Sequence, residues 1–145
     1  MKTFIGTKII KASPMDEKTF LLALGKKVEG DNNRDGYFVQ YEDGYTSWSP
    51  AYAFESAYRQ TDNMNFGLAI EAIKKGNKVA RKGWNRKGIF IELQVPDEHS
   101  KMTSPYIYIN TTGLQTDNKD APKSLVPWLA SQTDMLADDW QIFSN

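Results

Sequence analysis

Between Asn65 and Gly76, apolar side chains recur at Phe66, Ala69, Ile70 and Ile73. That spacing of i, i+3, i+4 and i+7 puts one stripe along an α-helix. Asn65 is placed to cap its start, Gly76 to end it in a left-handed turn, and Lys74 and Lys75 to suit the negative end of its dipole. Downstream the period changes to two. "KVARKGW" and "GIFIELQV" read as strands joined by the turn "NRKG". "YIYINTT" reads as a third strand, with Tyr106 and Tyr108 on one face and Ile107 and Ile109 on the other. "GLQTDNKDAPKS" is a polar loop, and the segment around Trp128 carries no regular pattern. A short helix is expected over 132–138, capped by Ser131 or Thr133, and a last strand over "DWQIF", with Trp140 in the core.

The first part of the chain has its own pattern. In "GYFVQYEDGYTSWSP", Phe38, Gln40 and Glu42 alternate against Tyr37, Val39 and Tyr41, and Asp43-Gly44 supplies a hairpin turn. Ser49 and Pro50 then signal a helix start, with Phe54, Ala57 and Tyr58 on one face. Met15 to Leu24 predicts another short helix, stopped by Gly25. The polar stretch "RQTDNMNF" has no periodicity and divides the chain into a hairpin-helix module, 1–61, and a second domain, 64–145. The class is α+β, with a small, mainly antiparallel sheet and packed helices, because no strand–long helix–strand rhythm calls for a parallel one.

Composition narrows the chemistry. Lys and Arg number 18, as do Asp and Glu, so there is no cationic excess of the kind that binds DNA or RNA through many phosphates. There are no cysteines, which excludes disulfides, thiolate zinc sites and cysteine nucleophiles. No run approaches the ~20 apolar residues of a membrane helix, and the expectation is a soluble protein inside the cell. The single histidine, His99, lies in a polar loop and reads as solvated. No P-loop, G-x-G-x-x-G or G-x-S-x-G is present, so neither a cofactor nor a catalytic residue is expected, and the carboxylates alone make a poor transition-metal site.

Two groups of residues remain. Asp134 and Asp138 fall at i, i+4, with Asp139 alongside. Such carboxylates can hold magnesium or act as acid and base. The plainer reading has Asp138 and Asp139 facing water and leaves Asp134 open, since a first-turn position also suits it. The second group is aromatic. "RKGWNRKG" surrounds Trp84 with an amide and four cations, and Trp128 follows Pro127. Each Trp is either a lid on the core or a platform on which a base stacks, worth about 1–3 kcal/mol. With Ser131, Thr133 and Asp134 close in sequence, a nucleotide-like ligand fits the residue types.

These residues also carry a family resemblance. The runs "MNFGLAIEAIKKGNKVARKGWNRKG", "PYIYI" and "VPWLASQTDMLADDW", spanning 64–143, resemble the second Thoeris anti-defence family of phage proteins. The resemblance implies a sponge, not an enzyme. It would bind cyclic ADP-ribose isomers made by bacterial Thoeris TIR proteins in the cytoplasm of the infected host and withhold them from their effector. It implies a homotetramer with ligand at protomer junctions, and some relatives also take cyclic oligonucleotides. By position it assigns Trp84 and Trp128 as aromatic walls, Asn85, Arg81 and Lys87 as amide and phosphate partners, and Ser131, Thr133 and Asp134 as partners for ribose and phosphate oxygens. Many relatives read "GWNGKG". Arg86 stands here instead of that glycine, either as a cation at the pocket mouth or as a change of turn. The N-terminal module resembles short phage reading frames with "Y.DGY.SWSP...F..AY". Trp48 is expected to pack its hairpin on its helix, and the module to be dispensable for ligand binding.

Two other classes compete with the sponge. A phosphodiesterase or glycohydrolase would use Asp134 and Asp138 and turn its ligand over. A phage interaction module would spend Trp84 and Trp128 on protein interfaces.

Overall fold

Helix and strand signals are realised in both halves of the chain. A computed structural model describes residues 1–144, and the chain divides into the units Met1–Arg59 and Gln60–Asn145. The fold is α+β, with every strand pair antiparallel.

The first unit is a three-stranded sheet in the order β1-β2-β3, from β1 (Lys11–Pro14), β2 (Gly36–Gln40) and β3 (Thr46–Pro50). β2 and β3 are the predicted hairpin, closed where Tyr41 N donates to Tyr45 O at 2.9 Å. Helix α1 (Glu17–Ala23) is capped by Asp16, whose carboxylate accepts from Thr19 N and Oγ1 at 3.0 and 2.7 Å. Those hydrogen bonds hold the Asp16 carboxyl at about 2. Helix α2 (Ala51–Ala57) begins one residue later than the sequence suggests. Pro50 occupies the cap, because Ser49 remains in β3 opposite Tyr37. Phe54 stacks on Tyr37 and Tyr58, with centroids 4.1 and 4.9 Å away, while Ala57 is exposed. Trp48 anchors its strand by a hydrogen bond. Its Nε1 donates to Met15 O at 2.7 Å, tying β3 to the segment entering α1.

The second unit is a five-stranded sheet in the order β7-β6-β5-β4-β8, from β4 (Val79–Arg81), β5 (Phe90–Gln94), β6 (Tyr106–Asn110), β7 (Leu125–Pro127) and β8 (Trp140–Ile142). Helix α3 (Phe66–Lys74) is the predicted one, with Asn65 accepting from Leu68 N at 2.9 Å. Its buried residues are Ala69, Ala72 and Ile73, so the inward stripe is turned toward Ala72, and Ile70 is only half-buried. These pack with Met64, Val79, Ile91 and Trp140 into the core. Burying each of the larger side chains contributes about 1.5–3 kcal/mol. Met64 and Trp140 also exchange backbone hydrogen bonds at 2.8 and 3.1 Å, which fixes the entry of α3 against β8.

Two local expectations are corrected. Val126 and its neighbours form β7, an edge strand paired to β6, rather than an irregular segment. Helix α4 (Gln132–Met135) is shorter than 132–138, so Asp138 lies beyond it and does not share a helical face with Asp134.

Candidate functional site

Register places the site. β4 runs antiparallel to β8 with Arg81 opposite Trp140, which brings the last residue of β4 beside the 131–139 segment. The Arg81 side chain is 13% exposed and lies between two carboxylates. Its Nη1 donates to Asp134 Oδ1 at 2.9 Å and its Nε to Asp139 Oδ1 at 2.8 Å. Asp139 also accepts from Gly83 N at 2.7 Å through Oδ2. A Cβ on Gly83 would lie 2.6 Å from that oxygen, so a side chain at this position would force the carboxylate to shift.

Asp134 is the buried charged residue among those described. Ser131 is the cap of α4, and the two residues form a capping box. Ser131 N and Oγ donate to Asp134 Oδ2 at 3.0 and 2.7 Å, and Asp134 N donates to Ser131 Oγ at 3.1 Å. Trp84 Nε1 donates to Asp134 Oδ1 at 3.3 Å, and Trp140 Nε1 to the Asp134 carbonyl at 2.9 Å. Burial by itself would raise the Asp134 carboxyl. Hydrogen bonds from Ser131, Arg81 and Trp84 outweigh it and hold the group below the ordinary carboxylate range. Asp139 is lowered chiefly by its hydrogen bond from Arg81, and Arg81 is raised, chiefly by Asp139. Asp139 therefore does not simply face water, which corrects the plainer sequence reading. Asp138 is exposed.

Above this ionic base stands an aromatic cluster. Trp140, fully buried, meets Trp84 edge-on at 5.5 Å and Trp128 at 6.0 Å, and Phe66 packs 5.5 Å from Trp140. Trp84 and Trp128 are themselves 6.4 Å apart at 62°. Each rests on the core and keeps part of its surface in solvent, so lid and potential platform are one arrangement. Together with Asn85, Arg86, Ile89 and Ile109 they line an open depression of about 310 Å³.

The eight residues singled out from the sequence thus fall into three places. Trp84, Asn85 and Trp128 line the depression. Arg81, Ser131 and Asp134 form a network outside the lining that holds Trp84 through Asp134. Lys87 and Thr133 are exposed and outside the lining. Lys87 Nζ donates to Lys82 O at 3.0 Å. The apolar lining residues Ile89 and Ile109 escaped sequence reasoning, although the alternation in "YIYI" set Ile109 on the face opposite Tyr106 and Tyr108. The turn itself is pinned. Gln115 N donates to Lys87 O at 3.0 Å, and Gly88, at φ 80°, crosses so close to Gly113 O that a Cβ would collide with it. Among the described residues no cluster of His, Cys, Asp and Glu is arranged to hold a metal, and no helix is long and apolar enough to cross a membrane. His99 is exposed in the loop between β5 and β6.

A small α+β unit with a tryptophan-walled depression over a buried ion-pair network is the architecture, and sequence comparison puts it among phage anti-defence proteins. The chain belongs to the Thoeris anti-defense 2-like family, whose model matches residues 64–143. It is similar to Thoeris anti-defense 2 of Bacillus phage SP01, with 38% identity over 85 residues, covering 56% of this chain and 96% of that protein.

Proposed function

We propose that this protein counters Thoeris defence by binding intact cyclic ADP-ribose-type nucleotides and withholding them from the effector they activate. The observation that carries the reading is the depression walled by Trp84 and Trp128, with Asn85 and Arg86 among its lining residues, in a chain of this family. At 6.4 Å and 62° the two rings leave no slot for a base between them. A purine stacks on one ring and meets the edge of the other, a geometry aromatic groups favour. Asn85 is exposed and supplies an amide that can both donate and accept.

Sequestration is favoured over hydrolysis by the state of the carboxylates. Asp134 is held ionised chiefly by Ser131 and Arg81, and Asp139 chiefly by Arg81, and both already accept hydrogen bonds, which suits neither a general acid nor a general base at neutral pH. The 64–145 domain is, in this reading, the ligand-binding part, and 1–61 an accessory module. A homotetramer with ligand at protomer junctions accompanies it. The depression is at the small end of the ~300–1,000 Å³ typical of pockets that enclose a ligand, and Leu125, Val126, Leu129 and Leu136 stand exposed on β7 and around α4, ready for burial.

The test is capture and release. The protein is incubated with TIR-made cyclic ADP-ribose isomers, freed of unbound ligand, heat-denatured, and the released material resolved by chromatography. Recovery of unchanged isomer is expected. A cleaved product overturns sequestration in favour of catalysis, and an empty eluate for every isomer overturns the proposed ligand class.

A further inference from the structure

The turn from Arg81 to Lys87 carries four cations, and three are already committed. Arg81 is held by Asp134 and Asp139, Lys82 Nζ lies 3.2 Å from Asp62, and Lys87 Nζ donates to a backbone carbonyl. Arg86 is the fourth. It is exposed, makes no hydrogen bond or ion pair with any described residue, and lines the depression beside Trp84 and Trp128. Its guanidinium carries five N–H donors in a fixed fork that matches phosphate oxygens two at a time.

Trp84, Trp128, Ile89 and Ile109 offer a ligand apolar surface, which recognises a base but is indifferent to charge. Asn85 is neutral. Arg86 is the charged residue among those lining the depression, so it is the lining group that favours an anion. Resting on the proposed function, we infer that Arg86 is the specificity-determining residue that selects a nucleotide carrying a pyrophosphate, by pairing with a phosphate beside the stacked base. The neighbouring cations are ion-paired or bound to the backbone, and they stabilise the turn rather than read the ligand. Because the guanidinium stands at a solvent-exposed rim, it also draws the anion in. Replacing a rim charge alters association rate and salt dependence.

The experiment compares the full chain with Arg86→Ala and Arg86→Gln, titrating each with the cyclic ADP-ribose isomers at several salt concentrations. Arg86 is exposed and unpartnered, so both variants keep the fold. The expected result is that both lose about tenfold in affinity at low salt, the scale of one charge-assisted hydrogen-bonded contact, and that their affinity depends less on salt than that of the parent. Unchanged affinity in both variants overturns the inference and leaves the proposed function standing. A loss of affinity with the parent's salt dependence also overturns it, since Arg86 would then act through the shape of the turn. If the parent binds no isomer, the proposed function falls and this inference with it.

Discussion

Arg81→Met removes the guanidinium and keeps an apolar stem of similar length, so its effect isolates the ion pairs. The parent pairs have N–O distances of 2.9 and 2.8 Å, with side chains 13% exposed for Arg81, 12% for Asp134 and 30% for Asp139. Removing one member of a buried pair costs about 3–5 kcal/mol because the other charge is left uncompensated. Here Asp139 reaches solvent, and Ser131 and Trp84 still donate to Asp134, which lowers the expectation to about 2–4 kcal/mol. With a urea slope of about 2 kcal/mol/M, the midpoint of the second unit should fall by about 1–2 M. Tryptophan fluorescence is a suitable readout, since Trp84, Trp128 and Trp140 all lie in that unit.

The difference should also depend on pH. Folding depresses the Asp134 and Asp139 carboxyls. Their stabilising contribution is therefore complete above the ordinary carboxylate value near 4 and is lost as the pH falls through the folded-state values below it. In the variant, Asp134 keeps the hydrogen bonds from Ser131 and Trp84 but loses the one from Arg81, so burial offsets more of their effect and the carboxyl is depressed less. The gap between parent and variant should consequently narrow in acid. A loss under about 1 kcal/mol at pH 7, or a gap of constant size down to pH 3, would refute the assignment of Arg81 as the tie beneath the depression.

Trp84→Ala should weaken binding of a cyclic ADP-ribose isomer by roughly 5- to 150-fold, the equivalent of about 1–3 kcal/mol of stacking, with elution volume unchanged on size exclusion. A collapsed oligomer with binding retained would favour the interface reading. Ser131→Ala should cost about 1 kcal/mol of thermal stability through loss of the α4 cap. No change in Tm would mean the capping box contributes nothing net. A chain beginning at Met64 should bind the isomers as the full chain does, and lost affinity would make the N-terminal unit part of the binding machinery.

α3 was readable because its stripe, cap and terminal glycine are all local. β1 and β7 were not. Both are short edge strands whose residues are all exposed, and an exposed strand has no buried face to impose a period of two. Ser49 looked like a cap because its chemistry suits one. Pairing with Tyr37 across the sheet holds it in β3 instead, a tertiary fact no local signal carries. At the site, residue type drew attention to Trp84, Asn85 and Trp128. The partners of Arg81 lie 53 and 58 positions away and meet it only through the β4–β8 register. Asp139 was therefore read as a solvated carboxylate, although it holds both Arg81 and Gly83.

Trp84 and Trp128 are braced by Trp140, and Trp84 also by Asp134, while Asn85 and Arg86 are exposed lining residues. Substitutions at 85 and 86 therefore leave the supports in place and cost the fold little. A lineage facing a changed chemical signal can vary position 86, where many relatives carry glycine, with no need to rebuild the scaffold each time. Drift at Arg81, Asp134 or Trp140 has no such freedom. Divergence between close relatives should accumulate at the rim and stop at the base, which makes this surface cheap to retune.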